Sequence, residues 1–319
     1  MSQQVPKIVT VFGATGNQGG SVVKLILATP ELQAKYKVRA VTRDRSKEAA
    51  QKLASSGAEL VEANLNDVSS LENAIKGSYA VFGVTNYWES MSKDTEVQQG
   101  RNIVDASKAA GVAHLVWSSL PNATKVSGGQ LKHIEHFDGK SEVEAYAEQV
   151  KGSDMAATYF MPAYFMSNLK SYVQPGPDGV AAWAGPMDAD KTNVPLIDTA
   201  VDTGKFVIGI LEAGPKAADG KHVHGVSEWA TPAQLVKTLS DVTGKQVRFN
   251  SVPLDIFKGF LPPQVAEELA ENMALIGDFD YYGKQAKAEQ ADSDRFFYSE
   301  TGPKVSLVKF IEGNGPWTL

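Results

Sequence analysis

His136 and Lys140 stand four residues apart, the spacing at which two side chains share one face of a helix. An imidazole titrates near neutrality and an ammonium is a fixed cation, so the pair could serve the reduction of a carbonyl or imine, with His136 as the proton source. Ser118 follows the apolar run Ala113-His-Leu-Val-Trp117 and would add a hydroxyl to the set. A plainer reading has His136 beginning a helix and Lys140 holding a ribose, because a neighbouring ammonium favours neutral imidazole and weakens it as an acid. No Tyr-x-x-x-Lys occurs anywhere in the chain, so the arrangement in which a lysine lowers a phenol's pKa toward working pH is missing. His114, His133, His222 and His224 show no carboxylate spacing of a metal site and read as structural or surface residues, so no metal is expected.

Reduction needs a redox cofactor, and Gly13-Ala14-Thr15-Gly16-Asn17-Gln18-Gly19-Gly20 is placed to hold one. It follows the β-branched run Ile8-Val-Thr-Val-Phe12 and opens an amphipathic pattern. Glycines let the backbone turn sharply and approach a pyrophosphate, while the first free N–H groups of the helix supply donors and a positive dipole end. The spacing is G-x-x-G-x-x-G rather than G-x-G-x-x-G. One unit later, Lys37-Val-Arg-Ala-Val-Thr42 reads as a second strand. At its end, where a dinucleotide's ribose would lie, the chain offers Arg43, Asp44, Arg45 and Lys47. A guanidinium fork suits a 2′-phosphate that a carboxylate would repel, which favours NADP(H) over NAD(H), with Asp44 the one dissenting residue.

Such residues need a parallel sheet to position them. Ala58-Glu-Leu-Val-Glu62, Tyr79-Ala-Val-Phe-Gly-Val84 and Ala156-Ala-Thr-Tyr-Phe160 read as further strands, the middle one covered on both faces. Helices are expected over residues 46–56, over 68–75 with Asp67 as cap, over 95–110, and over 137–150 after a mobile loop at Gly128-Gly129. This alternation implies an α/β fold, a doubly wound parallel sheet of Rossmann type with its ligand beyond the carboxyl ends of the strands. Past residue 160 the alternation weakens. Residues 174–179 and 184–186 read as loops, 201–211 as a helix interrupted by glycines, 231–243 as a helix opened by Thr231-Pro232, and 262–276 as a third. The expected division is an NADP(H)-binding domain over residues 1–160 and a smaller, mostly helical lobe over 161–319 that closes the cleft, some of its segments returning to the sheet.

At 319 residues the chain can bury a large core, and its 43% hydrophobic and 21% charged residues are ordinary for a globular protein. A net charge of −6 argues against direct nucleic-acid binding, so any link to transcription would run through protein partners. The absence of cysteine excludes disulfides, thiolate catalysis and cysteine-ligated zinc. No stretch approaches twenty apolar residues and Met1-Ser-Gln-Gln-Val-Pro lacks the regions of a signal peptide, so no membrane association and a cytoplasmic location are expected, with nuclear entry open.

Val84-Thr-Asn-Tyr-Trp-Glu-Ser90 and His136-Phe-Asp-Gly-Lys140, together with the glycine loop, closely resemble the NmrA-like family, an atypical branch of the short-chain dehydrogenases. The likeness runs along nearly the whole chain and is nearest the family's eukaryotic redox-sensor members. It implies NADP(H) held by residues 13–19 at the diphosphate and by Arg43 and Lys47 at the adenosine phosphate. Thr85, Asn86 and Tyr87 would line the nicotinamide side, Lys140 its ribose, and Tyr164, Phe165 and Asn168 would close over that end. Asn64 stands where relatives often carry Asp near the adenine, and its amide can still bond the base. Two functions follow. One is a regulator that responds to the NADPH/NADP⁺ ratio and acts through a protein partner, which the missing tyrosine favours. The other is an NADPH-dependent reductase of a small carbonyl, imine or quinone, which Lys140 and His136 keep open.

Overall fold

Seven parallel strands form the central sheet of the computed structural model, which describes residues 5–176 and 178–319. Residues 1–4, where the amino-terminal reading falls, and Pro177 of the loop at 174–179 lie outside the described residues. The strands are β1 (Lys7–Val11), β2 (Tyr36–Thr42), β3 (Glu59–Glu62), β4 (Ala80–Gly83), β5 (His114–Ser118), β6 (Ala156–Pro162) and β7 (His222–Gly225). Their order is 3-2-1-4-5-6-7, with β1 flanked by β2 and β4 where the winding reverses. Every residue of β4 and β5 is buried, as apolar strands require when helices cover both faces.

Helices Asn17–Ala28 and Asp202–Ala213 cover one face, and Val68–Ile75, Lys93–Ala109 and Glu135–Val150 the other. Local chemistry sets several ends. Asp67 caps its helix by accepting from the amides of Ser69 and Ser70, and Thr231 forms a capping box with Gln234 ahead of Pro232. The helix expected over 201–211 is continuous from Asp202 to Ala213, and its glycines are contact points rather than breaks. A Cβ on Gly204 would stand 2.6 Å from Ser21 O, and one on Gly209 only 1.9 Å from Phe296 O, so both glycines let backbone meet backbone. The helix expected over 262–276 runs from Ala266 to Phe279, because Pro262 begins a turn instead. The Gly128-Gly129 segment is a hydrogen-bonded turn after the short helix Ala123–Val126, with both glycines at positive φ.

The second half departs from the alternation in a defined way. β7 pairs with β6 and helix Asp202–Ala213 lies on Asn17–Ala28, so these segments return to the sheet. The remainder combines helices with two three-stranded sheets, Tyr164–Phe165 with Val194–Ile197 and Glu228–Ala230, and Val173–Pro175 with Ala181–Gly185 and Val247–Ser251. A separate apolar core around Trp183, Leu196, Leu239 and Ile276 holds it together. Among the described residues, no helix is long and apolar enough to cross a membrane.

Candidate functional site

The glycine loop sits at the end of β1, beside the crossover between β1 and β4. Gly13 adopts φ +60°, and a Cβ there would stand 2.8 Å from Val84 Cγ1. On Gly19 a Cβ would approach Phe12 O to 2.4 Å and Gly13 O to 2.5 Å, so only glycine lets the helix start this close to the strand. Ala14 is buried, whereas Gly13, Thr15, Gly16 and Asn17 are exposed and Gln18 half-buried. Gly16 caps the helix without a side-chain hydrogen bond, which leaves the first amides open toward the strand ends. This cradle fits a dinucleotide diphosphate.

The residues expected at the adenosine end divide. Arg43 is exposed and forms an ion pair with Glu89. Lys47 is exposed at the start of helix Glu48–Ser55. Asn64 is exposed too, its Oδ1 accepting from Asn66 N at 3.0 Å, so in this arrangement its amide serves its own turn.

At the other end, a cleft of about 760 Å³ opens beyond β4, β5 and β6. Gln18, Thr85, Asn86, Tyr87, His136, Lys140, Tyr164, Phe165 and Asn168 all line it, so the structure brings together residues the sequence scatters over 150 positions. Trp88, Leu120, Phe137, Phe257, Phe260 and Leu261 make much of the rest of its wall. The walls are predominantly aromatic and aliphatic, and Trp88 and Phe260 stay 44% and 63% exposed at its edge.

Lys140 and His136 do not work on each other. Lys140 is buried, and its Nζ bonds Oε1 of Glu96, which is 1% exposed. The same oxygen accepts from Thr85 Oγ1 at 2.7 Å. His136 instead turns its Nδ1 to Glu268 Oε1 at 2.5 Å, and its backbone amide donates to that oxygen at 3.0 Å. Burial pushes the Glu268 carboxyl upward, but hydrogen bonds from His136 and Tyr87 outweigh it and hold the group below the usual carboxylate range. The expectation that Lys140 keeps His136 neutral therefore meets a different environment, because each side chain has its own carboxylate from another helix. Ser118 is fully buried and donates from Oγ to Gln18 Oε1 at 2.7 Å, so it orients a lining residue rather than facing the cleft with His136.

Tyr87, at the start of the short helix Tyr87–Ser90, is buried between Glu135 and Glu268. Burial first, then its bond to Glu268, drives its phenol far above the ordinary value, which keeps it a neutral donor. Its ring meets Trp88 edge-on at 5.2 Å, and the His136 ring lies 5.0 Å from that of Trp88.

Glu96, Glu268 and Glu89 are the residues that sequence reasoning missed. Glu96 and Glu268 sit on helices whose charges read as a solvated face, and only the tertiary fold buries them. The other histidines find partners that no sequence spacing reveals. His133 Nδ1 meets Glu271 Oε1 at 2.6 Å with Glu267 nearby, though Lys258 already occupies Glu267. His222 Nε2 meets Glu144 Oε1 at 2.6 Å beside a second, polar cavity of about 810 Å³.

A family model described as the NmrA-like family matches residues 6–301. The NmrA-like family domain-containing oxidoreductase ptmS of Penicillium ochrochloron is 34% identical over 310 residues, which covers 91% of this chain and 90% of that one. Among solved structures, NmrA, a negative transcriptional regulator, aligns in its NADP complex with a TM-score of 0.79 at 20% identity, covering 97% of this chain and 95% of the other. Its NAD complex aligns with a TM-score of 0.80 at 20% identity and the same coverage. The triphenylmethane reductase of Citrobacter sp., in complex with NADP(H), aligns with a TM-score of 0.72 at 20% identity over 96% of this chain and 99% of that one. The fold is thus the Rossmann-type fold of these structures, and with the family model spanning nearly all of it, the chain belongs to the NmrA-like family.

Proposed function

We propose that the protein is an NADPH-dependent reductase of a bulky, largely apolar molecule that carries a reducible carbonyl, imine or quinone bond. One observation carries this reading: Lys140 and His136, each fixed by its own buried carboxylate, open into a single aromatic cleft that also holds Gln18, Asn86 and Tyr87. Residues 1–160 would bind the cofactor, with the glycine cradle at the diphosphate and Arg43 and Lys47 at the 2′-phosphate. Residues 161–319 would supply Tyr164, Phe165 and Asn168 over the nicotinamide and the outer wall of the cleft. The relatives named as oxidoreductases support this reading.

When bound, NADPH supplies a hydride to one atom of the reducible bond. The chain's own residues supply the rest. With Nδ1 donating to Glu268, Nε2 is the nitrogen that would deliver a proton toward the cleft from the doubly protonated ring, leaving the neutral ring still bonded to Glu268. Lys140 has one ammonium proton committed to Glu96 and two left to hold a ribose or polarise the substrate. The aromatic walls exclude water and so strengthen both interactions.

The second reading, a nucleotide sensor, draws on the Arg43–Glu89 pair, which would register the phosphorylated against the unphosphorylated nucleotide; response to the NADPH/NADP⁺ ratio would need a further difference at the nicotinamide end. A 2′-phosphate that takes Arg43 releases Glu89, and with it the turn that carries Tyr87 and Trp88, so a partner could read the change. The deciding measurement is NADPH consumption, by absorbance, across a panel of aromatic carbonyls, imines and quinones. Turnover that disappears in Lys140→Ala and His136→Ala supports the reductase, and silence across the panel with tight NADPH binding supports the sensor.

A further inference from the structure

The helix Ala266–Phe279 contributes more to the cleft than the carboxylate that holds His136. Glu268 is followed one turn later by Asn272, and residues four apart lie about 5–6 Å from each other on a helix face. Asn272 lines the cleft, is 8% exposed, and its Nδ2 is buried without a hydrogen-bond partner. An amide left unpaired in this way costs about 1–3 kcal/mol, a cost that persists in a folded protein when something else satisfies the group. The side chain can turn its amide about the last bond and present either the N–H₂ or the carbonyl to a molecule in the cleft. The hydroxyl of Tyr164, another lining residue, is likewise buried and without a partner of hydrogen-bond geometry. It too can donate. Of the other lining residues, Phe257 and Leu269 are apolar and the Tyr281 hydroxyl already donates to Pro162 O at 3.1 Å.

We propose that Asn272 is the specificity-determining residue of the cleft and that the molecule it selects is aromatic in bulk and carries an amide carbonyl, one helical turn from the bond that His136 serves. The amide oxygen accepts from Asn272 Nδ2 and, where the molecule reaches it, from Tyr164 Oη. This inference rests on the reductase reading for the identity of the reacting bond, but binding of the amide can be measured without turnover.

The test uses two probes that differ by one carbonyl, benzanilide and N-benzylaniline, titrated calorimetrically into the full chain alone and with NADPH present. Wild-type protein should bind benzanilide roughly tenfold more tightly than N-benzylaniline, the span of one satisfied buried donor. Asn272→Leu should bring the two affinities together by weakening benzanilide alone. Its melting temperature should hold or rise, because the substitution removes an unpaired amide rather than a bonded one. Equal affinities in the wild type, a parallel loss of both probes in the variant, a lowered melting temperature, or no binding of either probe would overturn the proposal. Loss of turnover across the carbonyl panel with the tenfold preference intact would instead remove the reductase reading and leave the amide site standing.

Discussion

Arg43 and Glu89 lie 46 residues apart in the chain and form an ion pair that ties the end of β2 to the turn carrying Tyr87 and Trp88. The residue best suited to read a 2′-phosphate is thus already engaged, and by an anion. Both side chains are more than half exposed, so the pair itself adds little to stability. Its consequence is for the proposed phosphate site: a 2′-phosphate bound at Arg43 would have to compete with Glu89 for the guanidinium, whereas a bare ribose would not.

Cofactor choice follows from that competition. Arg43→Glu should weaken NADP⁺ binding by roughly tenfold or more, the range of a lost charge-assisted hydrogen bond, and leave NAD⁺ within about twofold. Glu89→Gln should do the reverse, raising NADP⁺ affinity by roughly two- to fivefold because the competing carboxylate is gone. Calorimetric titration of both nucleotides into both variants measures this. Equal losses for the two nucleotides in Arg43→Glu would remove Arg43 from the phosphate site.

The buried pair of Lys140 and Glu96 makes a stability prediction independent of activity. Glu96→Gln leaves a buried ammonium without its counter-charge and should cost about 3–5 kcal/mol in denaturant unfolding. Adding Lys140→Met to that variant should recover most of the loss, because the double variant contains no unpaired charge. A double variant as unstable as the sum of the two singles would mean that the residues act separately.

These two pairs also show what the chain made legible. Asp67, Thr231 and the glycine loop could be read because their reasons are local: a cap acts within four residues, and a loop that must turn between strand and helix declares its own backbone. Gly204 and Gly209 could not. Their reasons lie at Ser21 and Phe296, far along the chain, so they look like breaks in a helix that in fact runs through them. The candidate site divides in the same way. The i, i+4 spacing of His136 and Lys140 placed both in the cleft, but Glu96 and Glu268, which set their chemistry, lie 44 and 132 residues away from their partners and carry no mark of burial in the sequence.

Removing Glu268 tests the role of His136. Its carboxylate fixes the ring through Nδ1, so Glu268→Gln should lower kcat with an active substrate by about 10²-fold and leave KM within about twofold. A raised KM with kcat unchanged would leave Glu268 a purely structural partner.

His114 governs a part of the pH dependence that has nothing to do with the cleft. It is fully buried in β5, its Nε2 paired with Thr158 Oγ1 at 2.8 Å and its Nδ1 unpartnered. Burial lowers its pKa from the ordinary 6.5 to about 4, against a weaker opposing pull from Asp219. Between those values the unfolded chain takes up a proton at this position that the folded chain refuses, so acidification favours unfolding. The contribution to the slope is about 1.4 kcal/mol per pH unit. His114→Gln, which can keep the bond to Thr158, should lose that slope between pH 6.5 and 4, while the carboxylates common to both proteins cancel in the comparison. Denaturant unfolding at four or five pH values is enough to see it. Parallel pH curves for the two proteins would show that His114 accepts its proton in the folded state and that the interior around β5 is wetter than its packing implies.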